Sequence, residues 1–159
     1  MTSSSHLQGD NLMEASSEEI KGMIKLQAQL QQAHQVMWAL HWNMKGKRFL
    51  SDHPWLDEPL EEIDEMVDWV AERIIQLGGL PLTAYEDVIR LSKTKSIISQ
   101  GYSVDSAMTG VLKVLNATEE VMLNTRKGLD EIDTPTGSQL DSYLGTLEKY
   151  IWMVESEIK

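Results

Sequence analysis

The chain of 159 residues has no cysteine, which excludes disulfides and thiolate metal sites. It also lacks long apolar runs; none approaches the roughly 18 residues needed for a membrane span. The opening stretch MTSSSHLQGDNLMEAS has no apolar signal region and neither lysine nor arginine. The expectation is a cytoplasmic protein with no membrane partner. Basic residues are few throughout, 14 against 25 acidic, for a formal net charge of −11. A chain so charged attracts cations and repels phosphate, which argues against nucleic-acid binding by its surface as a whole. Phenylalanine occurs once, while methionine occurs nine times and tryptophan five times. The length suits one domain with one core.

What is present is helical periodicity. Residues 1–16 are polar and mixed, and read as a flexible arm, partly helical near Leu12 and Met13. Residues 17–159 read as one domain. Ser16 or Ser17 can cap a first helix with Glu18 and Glu19 in its first turn. Met23, Leu26, Leu30, Ala33, Met37, Leu40 and Met44 then alternate by three and four, the seam of a bundle, up to Gly46. A second long helix is predicted from about Ser51–Pro54 to Leu77, with Leu60, Ile63, Val67, Val70, Ile74 and Leu77 inward and Gly78-Gly79 as its stop. Pro59 requires that helix either to bend or to start at Glu58. A short helix capped by Thr83 is expected over 83–92, followed by the polar crossover KTKSIISQGYS. The third helix should span about Ser103–Leu129 on Met108, Val111, Leu115 and Met122. The fourth should start at Thr134-Pro135 and bury Leu140, Leu144, Leu147, Ile151 and Val154. There is no strand pattern and no repeat. The fold class is all-α, an antiparallel four-helix bundle with a short helix in its long crossover.

The chemistry gathers between His41 and Gly79. His53 follows His41 by twelve residues, Asp57 follows by four, and Asp68 and Glu72 stand one helical turn apart. Imidazoles and carboxylates in this number suit iron, zinc or manganese. Asp57, Glu61, Glu65, Asp68 and Glu72 form one continuous stripe. A solvated face usually interleaves both charge signs, yet nine acidic residues and no lysine or arginine lie between Arg48 and Arg73. Bound cations would offset that repulsion. If His53 belongs to the second helix, Asp68 lies roughly 22 Å further along it, too far to share one metal within a subunit. A two-fold partner running antiparallel would bring His53 of one copy to Asp68 and Glu72 of the other.

The run HWNMKG, His53 with Asp57, the D-x-x-x-E-R of Asp68 to Arg73 and the LGG at 77–79 together resemble the Dps family, the DNA-protecting mini-ferritins. The likeness runs from about Ser17 to Ile158. It implies a four-helix subunit in a twelve-subunit hollow shell built from two-fold dimers. Iron would be oxidised from Fe(II) to Fe(III) between two-fold-related subunits, with hydrogen peroxide as the usual oxidant, and stored as mineral. The ligands so implied are His41, His53 and Asp57 of one subunit and Asp68 and Glu72 of its neighbour. The function to expect is a ferroxidase and iron store that limits oxidative damage. A nucleoid protein that mainly binds DNA is the alternative. Because DNA binding in the family commonly uses basic arms and this arm has none, any DNA binding should be weak or cation-mediated. Lys47, Asp52 and Pro59 depart from the expected pattern around His53.

Other residues admit two readings. His34 precedes His41 by one heptad and fits either an outer ligand shell or an interface contact. Trp38, Trp42 and Trp69 lie near the proposed ligands, as electron donors or as packing. Asp130, Glu131, Asp133 and Asp141 either line an ion entrance or form an ordinary polar turn.

Overall fold

The computed structural model describes residues 12–13 and 16–159. Most of the arm expected over 1–16 therefore lies outside the described residues. Helix α1 spans Glu18–Asn43, with Ser17 as its cap: the Ser17 hydroxyl accepts from the Ile20 N–H at 3.3 Å. It stops three residues before Gly46, because Met44 turns extended and enters a short strand, β1 (Met44–Lys45). All seven seam residues from Met23 to Met44 are buried.

The second long helix is two helices. α2 covers Phe49–Trp55 and α3 covers Asp57–Gln76, with Leu56 between them. The proline problem is solved by this break. Pro59 falls in the first turn of α3, where its missing N–H would have had no intrahelical partner. The inward face of α3 is Leu60, Ile63, Met66, Val70 and Ile74. Met66 is thus the fully buried residue where Val67, only partly buried, was expected. Gly78 ends the helix with a φ of 91°, a conformation open to glycine.

Helix α4 (Tyr85–Leu91) interrupts the crossover; its cap residue is Ala84, with no side-chain bond, and not Thr83. β2 (Tyr102–Ser103) pairs in parallel with β1, a two-residue ladder too short to show as alternation in the sequence. Parallel strands that leave α1 and enter α5 put the end of α1 beside the start of α5, so these helices run antiparallel. α5 spans Val104–Lys127 behind a Ser103 cap, and α6 spans Thr134–Ile158. The cap of α6 is Asp133, one residue earlier than expected, because its carboxylate accepts from the Thr136 N–H at 3.2 Å. α1 packs against α3 and α5, and α5 against α6, around the buried apolar cluster.

Three buried glutamines on α1 tie the crossover down. The Gln27 amide accepts from Leu82 N at 2.8 Å and donates to Leu82 O at 3.0 Å. Gln29 Oε1 accepts from the backbone N–H groups of Lys93 and Thr94, while its Nε2 donates to the hydroxyls of Thr94 and Thr118. Gln32 donates to the Ser96 hydroxyl and accepts from Tyr85. All four hydrogen-bonding positions of Gln29 are filled, so its burial leaves nothing unpaired.

Candidate metal centre

His41 stands near the end of α1, 5 % exposed, and α2 folds back over it. The His41 and His53 rings stack with centroids 3.8 Å apart. His53 Nδ1 lies 2.9 Å from the His41 carbonyl oxygen. A carbonyl only accepts, so Nδ1 carries the proton and Nε2 keeps its lone pair for a ligand. Phe49, the sole phenylalanine, stacks on the other side of His53 at 4.6 Å. Asp57, the first residue of α3, holds Oδ1 3.7 Å from His41 Nε2. These three residues come from three different helices, and the break at Leu56 is what sets Asp57 beside His41.

Asp68 and Glu72 are not brought to them. They lie on α3 eleven and fifteen positions beyond Asp57, roughly 16 and 22 Å along the axis. The distance argument made for His53 therefore holds, with Asp57 in its place: within one chain the two groups are separate. Among the described residues, no group of three or more His, Asp and Glu side chains in the single chain is arranged to hold a metal ion. The whole acidic stripe from Asp57 to Glu72 is exposed on this chain.

Burial lowers the pKa of His41, with the neighbouring His53 ring adding to the effect and Asp57 opposing it. The ring is thus neutral and able to donate a lone pair. His41 Nδ1 is buried without a hydrogen-bond partner among the described residues, which marks the imidazole as a polar group with capacity to spare. His34 is spoken for. Its Nε2 accepts from the Trp38 indole at 3.1 Å, and burial lowers its pKa against the pull of Asp64. Trp38 stacks on Trp42 at 5.4 Å and meets His41 edge-on at 5.1 Å. Trp69 packs edge-on against Tyr143. A cavity of ≈330 Å³ lined by His34, Trp38, Asp57, Leu60, Glu61 and Asp64 opens beside Asp57.

Comparison with known proteins now bears on this arrangement. Residues 20–159 match the family model described as a ferritin-like domain. A DNA protection during starvation protein of Streptococcus suis is 30 % identical over 136 residues, 82 % of this chain and 77 % of that one. The chain belongs to the Dps family. A protein of the same name from Helicobacter pylori is 32 % identical over 74 % of this chain and 83 % of its own. Antigen TpF1 of Treponema pallidum superposes with a TM-score of 0.85 over 94 % of each chain at 23 % identity, and so speaks for the fold.

In this Dps-family chain, two charged groups have partners that sequence spacing does not reveal. Arg48, at a φ of 71° in the turn before α2, reaches Asp52, Asp105 and Glu157. That explains Asp52, which is 6 % exposed and faces a guanidinium, where an apolar residue was expected. The second group is the acidic turn after α5. Asp133 accepts from Arg73 at 2.8 Å and from Thr136, and Asp141 pairs with Arg126, so two of its four carboxylates already have cations. Glu19, 9 % exposed, faces Asp133, and its Oε1 has no hydrogen-bond partner among the described residues. Burial, then the hydrogen bond and the charge of Asp133, push the Glu19 pKa up to about 7. Burial works to raise Asp133 too, yet hydrogen bonds from Glu19, Thr136 and Arg73 hold it well below the usual range. No helix among the described residues is long and apolar enough to cross a membrane.

Proposed function

We propose that this chain forms a cytoplasmic mini-ferritin shell of twelve subunits, assembled from two-fold dimers, that oxidises and stores iron. The observation that carries the reading is the division of the ligand set. His41, His53 and Asp57 converge at one end of α3, while Asp68 and Glu72 wait further along the same exposed acidic face. A two-fold copy laid antiparallel on that face would complete one site at each end. His41 and His53 would bind Fe(II) as neutral imidazoles, and the carboxylates would favour the Fe(III) that forms. Two Fe(II) ions would together supply the two electrons that hydrogen peroxide takes, and with two protons the O–O bond would break to two waters, leaving two Fe(III) and no hydroxyl radical. The acidic surface draws Fe(II) inward.

An anaerobic Fe(II) titration followed by peroxide tests this reading. Saturable Fe(II) binding is expected, then rapid growth of ferric absorbance that stays with the protein. Oxidation no faster than in buffer, with ferric precipitate outside the protein, would overturn it.

The relatives named above are called DNA-protection proteins. With a net charge of −11, protection here would come from removing iron and peroxide more than from coating DNA. Mobility shifts at physiological salt in EDTA should show no complex, with binding emerging only when divalent cations are added. Tight binding in EDTA would contradict this.

A further inference from the structure

A cavity of ≈560 Å³ lies away from the proposed metal centre, beneath the crossover. Its floor is apolar. Val36 and Leu40 come from one face of α1, and Val114 and Ala117 from one face of α5. Gly110 brings the helices together: a Cβ there would meet Leu40 Cδ1 at 3.0 Å. The crossover supplies the remaining wall with Ile97 and Tyr102, and the Tyr102 hydroxyl is already spent on the Ile98 carbonyl at 2.7 Å.

The rim is what sets this cavity apart. Lys93, Lys95 and Lys113 line it against one acidic residue, Glu120, in a chain that carries −11 overall. Glu120 pairs with Lys93. Lys95 and Lys113 are exposed and have no ion-pair partner among the described residues, two ammonium groups at the edge of an apolar hollow. Nor does the rim have to be assembled on binding. Gln29 holds the backbone at Lys93 and Thr94, and Gln32 holds Ser96, so the segment bearing Lys93 and Lys95 is already fixed, and Lys113 stands on α5. The size falls within the range of small-molecule sites, which pair an apolar lining with a few placed polar groups.

We infer that this cavity binds a free amphiphilic carboxylic acid, its apolar tail on the α1–α5 floor and its carboxylate between Lys95 and Lys113. Charge complementarity selects the occupant. A cationic amphiphile would meet like charge at the rim, and a short anion such as acetate would leave the floor unfilled. A phosphate backbone would use the lysines but waste the apolar floor.

Calorimetric titration of the assembled protein with decanoate tests this, with decylammonium and acetate in parallel. Decanoate should give a saturable heat, and the other two none. Lys95→Gln combined with Lys113→Gln changes only exposed groups and should weaken decanoate at least about tenfold, the scale of one charge-assisted contact. Ala117→Phe fills the floor and should abolish binding, with the melting temperature checked to show that the bundle survives. Absence of a decanoate heat, whether from an unselective cavity or from a second copy covering it, overturns the proposal. So does unchanged affinity in the double lysine variant, or decylammonium binding as well as decanoate. Lysine-dependent binding of phosphatidylglycerol vesicles or of a DNA duplex, in place of decanoate, overturns it equally.

Discussion

Shells co-assembled from Asp68→Asn and His41→Ala subunits are expected to oxidise Fe(II) where neither parent does. Asp68→Asn keeps the volume and removes the charge that favours Fe(III); His41→Ala removes an imidazole at the other end of the ligand set. Each homogeneous shell should lose activity by roughly tenfold to a hundredfold or more, since even outer-shell changes at metal sites cost that much. Both should still assemble, because the bundle seams use other residues, such as Leu60, Ile63 and Met66. In a mixed dimer the arithmetic changes. One site takes His41, His53 and Asp57 from the Asp68→Asn copy and Asp68 and Glu72 from the His41→Ala copy, and so is whole. The other site carries both lesions. Random mixing makes half of the dimers mixed, each with one of two sites intact, so about a quarter of wild-type activity should return. The measurement is initial rate after peroxide addition, with co-assembly verified by differential tags. A mixture as inactive as its parents would mean that the ligands are not shared between copies.

Replacing Glu19 by glutamine should stabilise the protein at pH 8 and leave it little changed at pH 5. The reason is the proton that Glu19 and Asp133 share across the junction of α1 with the α5–α6 turn. Glu19 has an ordinary pKa of 4.5 and a folded one of about 7. Below 4.5 the group is protonated in both states and contributes no slope. Between 4.5 and 7 the unfolded chain releases the proton while the native one retains it, so stability falls as pH rises. Well above 7 the loss is complete, on the order of 3 kcal/mol for a shift of this size. Asp133 acts in the opposite sense: its pKa is lowered on folding, so it adds stability above its ordinary 3.8 and loses it in stronger acid. The pair is thus best placed near pH 4–5. Glutamine donates to Asp133 without a proton to lose. Thermal melts at fixed protein concentration should give the variant an advantage of at least about 5 °C at pH 8 that shrinks severalfold by pH 5. Melting curves that run parallel across this range would show that Glu19 holds no such proton.

Much of this was legible in the sequence, and the reasons differ from residue to residue. The seams of α1, α5 and α6 could be read because apolar residues at three–four spacing have nowhere to go but a core. The split at Leu56 could be read only halfway. Pro59 signalled trouble, but a proline in the first turn of a new helix and one that kinks an old helix leave the same mark. Local capping was misread twice. Thr83 and Thr134 are fair cap residues, yet Ala84 and Asp133 occupy the cap positions, the latter fixed also by Arg73 from a distant helix. The five metal-site candidates were visible as types and spacings. That His41, His53 and Asp57 meet depended on the turn of Met44 and the break at Leu56, which are tertiary facts. The burial of the glutamines, of Asp52 (visible only as a departure from the expected pattern) and of Glu19 was not legible, since a polar residue on a helix reads as solvent-facing until its partner is known.

The clamp between α1 and the crossover also has a schedule. Gln27 waits for Leu82, fifty-five residues later in the chain, and Gln29 for Thr118, eighty-nine later. On a ribosome adding about 5–20 residues each second, the first of these partners emerges roughly 3–11 s after the glutamine it serves. During that interval the amides must remain hydrated, so the two sides of α1 that carry them stay wet while the nascent chain lengthens. Final closure of the bundle belongs to the moment when α5 arrives, and a chain stalled before Thr118 would hold an α1 that cannot yet be dried.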